Sequence, residues 1–114
     1  LMSATYNLTC IQANTFNFQF QVKNDTTPWN LTGYNATMTV RPFLGAATTL
    51  FVATTGNGQI VLQGGNGTAT VTLDALQTAT FTPGRYVYDF VYDSGETVTT
   101  VLNGQFIVTP GVTV

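Results

Sequence analysis

Residues 84–92 read Gly-Arg-Tyr-Val-Tyr-Asp-Phe-Val-Tyr, and this stretch decides the fold class. Successive side chains of a β-strand point to opposite faces of the sheet, so the strict alternation predicts a strand. Both faces are largely apolar, which predicts a position in the middle of a sheet that is covered on each side. One face would carry the rings of Tyr86, Tyr88, Phe90 and Tyr92.

Further strands are predicted by the same alternation along the rest of the chain. The clearest case is 15–23, where an apolar face that we expect in the core alternates with Asn, Gln and Lys. Gly64-Gly65-Asn66-Gly67 predicts a hairpin turn, and Gly104 predicts a bulge within the last strand. The apolar face of 15–23 consists of Phe16, Phe18, Phe20 and Val22, and the other predicted strands are 6–11, 34–41, 49–53, 59–63, 68–73 and 97–109.

The period of two breaks at residues 74–80, where Asp74 is placed to cap a short helical turn. The spacing Gly84-x-Tyr86-x-Tyr88 then resembles the approach to strand F of immunoglobulin-like domains, with Tyr86 as the corner tyrosine. A single cysteine sets the chain apart from antibody-type domains. We therefore expect one domain, residues 1–114, with an all-β fold: an immunoglobulin-like antiparallel β-sandwich of about eight strands with one short helical turn.

Charged residues are scarce, at 7% of the chain against roughly 25% in ordinary soluble domains. The net charge is −2, and the cations are Lys23, Arg41 and Arg85, too few for a phosphate-binding patch. We therefore expect no nucleic-acid partner. No apolar run reaches the roughly 20 residues of a membrane span, and residues 1–3 do not resemble a signal peptide. A surface this poor in charge favours a subunit of an assembly.

Catalytic chemistry is not indicated, so we expect that the protein is not an enzyme. The chain has no histidine and five acidic residues, and we expect no catalytic, cofactor-binding or metal-binding residues. Asp89 and Asp93 would emerge from one strand roughly 13 Å apart, too far for a carboxylate pair. Asp89 lies in a mostly apolar strand, where a buried carboxylate needs a partner, so we expect an ion pair with Arg41 or Arg85.

Three residue groups admit a second interpretation. The segment Asp93-Ser94-Gly95-Glu96 could contact calcium, although a plain hairpin loop is the commoner meaning. Cys10 is best interpreted as a small buried hydrophobe. Trp29 and exposed tyrosines could stack on a sugar of the host surface, whereas the simpler interpretation places Trp29 in the core or in an interface.

Two blocks of sequence carry a resemblance to a known family. They are Leu31-Thr32-Gly33-Tyr34-x-Ala36-x-Met38 and Pro83-Gly84-x-Tyr86-x-Tyr88-Asp89, in that order. Tyr6-Asn7-Leu8-Thr9, Gly58-Gln59-Ile60 and Gly104-Gln105 extend the pattern over nearly the whole chain. The chain resembles small β-sandwich proteins of tailed bacteriophages, and is similar to the immunoglobulin-like N-terminal domain of phage baseplate upper proteins.

The resemblance implies a non-enzymatic structural protein of the virion, in the tail, the baseplate or the fibre attachment. Such a protein acts through subunit docking, so its expected partners are other virion proteins and copies of itself. Two alternatives remain open: a capsid decoration (cement) protein, and a carbohydrate-binding or adhesin module. The expected location is the virion, assembled in the cytoplasm of the bacterial host.

Overall fold

The computed structural model describes residues 4–24, 27–28, 30–63, 65 and 67–112. Asp25, Trp29 and Asn66 lie outside the described residues. Both interpretations of Trp29, sugar stacking and burial in the core or an interface, therefore lie outside them too. The elements are β1 (Ala4–Thr5), β2 (Leu8–Ile11), β3 (Phe16–Gln21), β4 (Lys23–Asn24), β5 (Thr27–Pro28), β6 (Asn35–Arg41), β7 (Phe51–Thr54), β8 (Ile60–Gln63), β9 (Thr68–Leu73), α1 (Ala75–Thr78), β10 (Gly84–Asp93) and β11 (Val98–Thr109).

The strands form a sandwich of two sheets, which confirms the all-β prediction. The large sheet has the order β1-β11-β10-β6-β7, with β2 also on β11, and the small sheet has the order β3-β9-β8. β4 and β5 form a separate two-stranded ladder. Pairing is antiparallel except where β1 and β2 run parallel to β11. Among the described elements no helix is long and apolar enough to cross a membrane.

β10 lies between β11 and β6, as predicted for the central strand. Its ring-bearing face is the inner one, where Phe90 and Tyr92 are fully buried. The expectation that both faces are covered is wrong. On the other face Val87 and Val91 are half-buried and Asp89 is exposed, because no second layer formed by the described residues packs there.

β3 contributes less to the core than its pattern predicts. Phe16 and Val22 are buried, but Phe18 and Phe20 are only half-buried. The reason is position, because β3 is the end strand of the small sheet and pairs with β9 alone. Phe20 still reaches the core, where its ring lies edge-on to Phe90 at 4.9 Å.

The corner before β10 forms as predicted. Asp74 caps α1 by accepting a hydrogen bond from the Gln77 N–H at 2.8 Å. The Tyr86 hydroxyl donates to the Thr82 carbonyl oxygen at 2.5 Å, which is the contact expected of a corner tyrosine. The corner thus joins the two sheets through one short helix and one side-chain bond.

The predicted bulge at Gly104 is wrong. Tyr88 pairs with Gly104 in a continuous ladder, and the irregularity falls between Phe90 and Val91, where Val101 is the extra residue of β11. Gly104 has a different role. An added Cβ would collide with the Tyr6 carbonyl, so the glycine lets the chain between β1 and β2 approach β11 closely.

Candidate docking surface

The outer face of the large sheet is left uncovered by the described residues. The cross-strand registers set its side chains in rows. One row joins Thr39, Asp89 and Asn103, and the next joins Arg41, Val87 and Gln105. Threonine, amide and valine side chains dominate, since the alternation of each strand sends its larger apolar residues inward.

A concavity of about 580 Å³ lies on this outer face. Its wall on one side is the turn between β6 and β7, through Leu44 and Gly45. Carboxylate, guanidinium, amide and hydroxyl groups share its surface with apolar side chains, so it can both bury an apolar group and hydrogen-bond a polar one. The side chains of the outer face that line it are Thr39, Arg41, Val87, Asp89, Thr100, Asn103 and Gln105.

The turn between β6 and β7 holds two apolar side chains in solvent. Ala46 N–H donates to the Phe43 carbonyl at 3.1 Å, and Gly45 has φ +85°, as the third residue of a type II turn requires. The Arg41 guanidinium fixes the turn by donating to the Ala46 carbonyl at 2.9 Å. The side chains of Phe43 and Leu44 remain 63% and 91% exposed. We call residues 43–46 the apolar turn.

The ion pair expected for Asp89 is not present. Asp89 is exposed on the outer face, so its carboxylate keeps its hydration and needs no partner. Arg41 uses its guanidinium on the apolar turn, and Arg85 is exposed further along β10. The premise that Asp89 is buried was wrong, because none of the described residues covers this face of β10.

The segment 93–96 is a hairpin loop held by its own bonds. The Gly95 N–H donates to the Asp93 carboxylate at 2.8 Å, and the Thr97 N–H donates to the Ser94 hydroxyl at 3.1 Å. Within the part of the chain that the structure describes, no group of three or more His, Cys, Asp or Glu residues could hold a metal ion. The structure therefore adds nothing to the calcium interpretation.

Cys10 is a buried thiol, with 1% of its surface exposed. Burial raises its pKa from 9.0 to about 11, because the thiolate would lose its hydration in the core. The thiol is therefore neutral at ordinary pH. This environment agrees with the interpretation of Cys10 as a small hydrophobe.

The tyrosines do not line up on an open face. Tyr88 and Tyr92 are buried, Tyr34 and Tyr86 are half-buried, and Tyr6 is the one with more than half of its surface exposed. None of the side chains that line the concavity presents an exposed ring. A stacking platform for a sugar is therefore not formed by the tyrosines.

Sequence reasoning missed the apolar turn. Phe43 and Leu44 follow Pro42 and precede Gly45, and apolar residues between two turn formers were a signal that could have identified it. It also missed Thr78, which is fully buried and donates its hydroxyl to the Asn14 carbonyl at 2.7 Å. A threonine in a threonine-rich chain gives no such signal.

The comparisons with known proteins bear on the fold. No protein-family model matches the chain, and no curated protein matches it. Among solved structures, the chain is similar to the N-terminal domain of phage TP901-1 ORF48, at 15% identity and a TM-score of 0.55. The match covers 92% of this chain and 84% of that one. At this identity the likeness shows the fold, so the chain shares the β-sandwich of that phage domain.

Proposed function

We propose that this protein is a non-enzymatic structural component of a tailed-phage particle, located in the tail or the baseplate. It acts by docking the outer face of its large sheet against a neighbouring virion protein. Two lines of support meet here. The fold is similar to a domain of a phage protein, and the outer face sets two exposed apolar side chains beside a concavity with polar and apolar lining, an arrangement suited to binding a protein.

The apolar turn is the observation that carries the proposed docking. Leu44 is 91% exposed and stands at the rim of the concavity. An isolated exposed leucine needs no explanation, but here Phe43 adjoins it and Arg41 holds the turn in place. A rigid apolar projection beside a polar hollow can anchor a partner and fix its orientation.

Incorporation into particles tests the proposal. The gene is supplied in trans to phage that lack it, and purified virions are analysed by mass spectrometry and cryo-electron microscopy. We expect the protein in the tail or baseplate density. Absence from purified virions would refute the proposal, and density on the capsid shell would replace it with the decoration role.

A pair of leucine variants tests the docking surface. Leu44→Asp places a charge on the apolar turn and should lower incorporation at least about tenfold, since burying an unpaired carboxylate in the contact costs more than the roughly 1.4 kcal/mol that a tenfold change requires. Leu76→Asp is the matched control, because Leu76 is 83% exposed on α1, away from the concavity. Equal incorporation of the two variants would exclude the apolar turn as the docking point.

A further inference from the structure

β3 is the longest open edge strand in the described part of the chain. It has six residues paired on one side only, by β9, whereas the edge strands β7 and β8 have four each. Its sequence, Phe-Asn-Phe-Gln-Phe-Gln, contains no charge, proline or glycine, and its ladder has no bulge. A charge, a proline or a bulge within the strand, by which proteins protect an edge from pairing, is therefore missing from β3.

The direction of the β3 backbone groups follows from one bond. Val22 N–H donates to the Gly67 carbonyl at 2.9 Å, so the even-numbered residues of this strand turn their backbone groups toward β9. The odd-numbered residues must then turn theirs outward. The side chains agree. Asn17 and Gln19 donate side-chain hydrogen bonds to Thr72 and Thr70, the residues opposite them on β9. Such contacts suit pairs whose backbone groups do not bond each other, because their side chains lie closer together. The backbone groups of Asn17 and Gln19 thus point at the open edge.

A row of partly exposed rings accompanies this edge. Tyr6 stacks on Phe18 with centroids 5.7 Å apart, and Phe18 stacks on Phe20 at 5.4 Å. Tyr6 is 55% exposed, and the two phenylalanines are half-buried. A strand added to β3 would extend the small sheet over this row and remove apolar surface from water.

We propose that the occupant is β3 of a second copy, paired antiparallel about a two-fold axis through Gln19. Gln19 then faces Gln19 of the second copy, and Phe18 faces its Phe20, so that rings meet rings and amides meet amides. This register makes Gln19 a hydrogen-bonded pair, which is what its outward backbone groups require. The two small sheets become one continuous six-stranded sheet.

Self-pairing suits this strand better than pairing with a foreign one, for two reasons. An isologous contact needs a surface that is complementary to itself, and an antiparallel strand centred on its own midpoint meets that condition. The strand is also uncharged, so two copies bring no like charges together. This association concerns the chain's own edge and does not depend on a role in phage particles.

Mass in solution tests the association. Sedimentation velocity of the purified chain should show a dimer of twice 12.2 kDa as the concentration rises to millimolar. Gln19→Lys and Gln19→Glu, each alone, should weaken the dimer at least about tenfold, because like charges then lie directly opposite. Mixing the two variants should restore it. A wild-type chain that stays monomeric, or variants that dimerise as wild type does, would overturn the proposal.

Two controls separate the edge from other surfaces. Thr72→Lys puts the same charge on the solvent-facing side of the small sheet, as Gln19→Lys does, but on β9 and not on the edge strand. This variant should leave the dimer intact. Loss of the dimer in this variant would overturn the edge contact in favour of face packing.

Hydrogen exchange of the wild-type chain needs no variant. The Gln19 amide should exchange slowly only in concentrated samples, whereas the Phe18 and Phe20 amides are protected at every concentration. An exchange rate of the Gln19 amide that does not change with protein concentration would contradict the proposal.

Discussion

The hydroxyl of Tyr88 donates a hydrogen bond to the main-chain carbonyl oxygen of Tyr6 at 2.5 Å. Tyr88 belongs to the central strand, β10, and Tyr6 lies between the two parallel segments β1 and β2 at the edge of the large sheet. Gly104 of β11, the strand between them, pairs with Tyr88 and makes room for the same carbonyl. These three residues attach the first strands to the rest of the fold.

Replacing Tyr88 by phenylalanine should destabilise the protein by about 1–2 kcal/mol, because the Tyr6 carbonyl loses its buried donor. Equilibrium unfolding in urea measures the change. Tyr6→Phe is the control, since it keeps the ring that stacks on Phe18 and does not alter the carbonyl. It should shift stability by no more than about 0.5 kcal/mol. Equal decreases in the free energy of unfolding of the two variants would mean that the Tyr88 hydrogen bond does not stabilise the fold.

Gly104→Ala should cost about 2 kcal/mol or more, because the added Cβ meets main-chain atoms that cannot move aside as a flexible side chain can. The φ of Gly104, +153°, adds strain for any L residue. Gly56→Ala is the matched control, since its Cβ would meet only Thr54 Oγ1 at an ordinary 3.7 Å. Thermal unfolding that ranks the two variants equally would contradict the close approach of Tyr6 to β11.

Thr78→Val should lower the free energy of unfolding by about 1–2 kcal/mol, although the volume of the side chain hardly changes. The hydroxyl of the fully buried Thr78 ties α1 to the Asn14 carbonyl, which would be left without this donor. In Thr80→Val the lost bond, to the Gln77 carbonyl, is exposed to solvent, so the cost should be small. A chevron or urea series on both variants decides whether burial makes the difference.

Stability should fall at alkaline pH. Burial raises the pKa of Cys10 to about 11 and raises the pKa values of Tyr88 and Tyr92 above their ordinary range; a nearby Tyr6 contributes further to Tyr88. In each case the unfolded chain releases its proton at lower pH than the folded chain. The stabilisation is therefore complete below pH 9 and is lost as the pH rises through the folded values.

Urea unfolding at a series of pH values measures this loss, and Cys10→Ala separates the thiol from the tyrosines. Without the thiol, the decline between pH 9 and 11 should be shallower by up to about 1.4 kcal/mol per pH unit, the value for one proton. Thiol-reactive reagents should also modify wild-type Cys10 slowly until the protein unfolds. Rapid labelling at neutral pH would show that the thiol is not buried.

The strands and the corner could be predicted because they depend on local patterns. Alternation with a period of two is fixed by strand geometry alone, so residues 84–92 identify the central strand wherever the sheet places it. The corner has an equally local cause. Asp74 caps a helix that begins at the next residue, and Tyr86 bonds a carbonyl only four residues away.

The outer face and the open edge could not be predicted in the same way. Asp89 was expected to be buried because its neighbours in sequence are apolar, yet exposure depends on whether another layer covers that face. Phe18 and Phe20 have the pattern of core residues, and they are half-buried because no described strand joins β3 on its far side. Alternation shows which residues share a face, without showing what lies opposite it.

The amino-acid order alone determined that this chain is a sandwich of short strands with one capped corner, because side-chain direction, turn formation and capping act over a few residues. Only the tertiary structure decided that β1 and β2 run parallel to β11, that Gly104 admits the Tyr6 carbonyl, and that β3 is left open. Those features depend on which strands become neighbours. That choice is made by contacts between residues as far apart as Tyr6 and Tyr88.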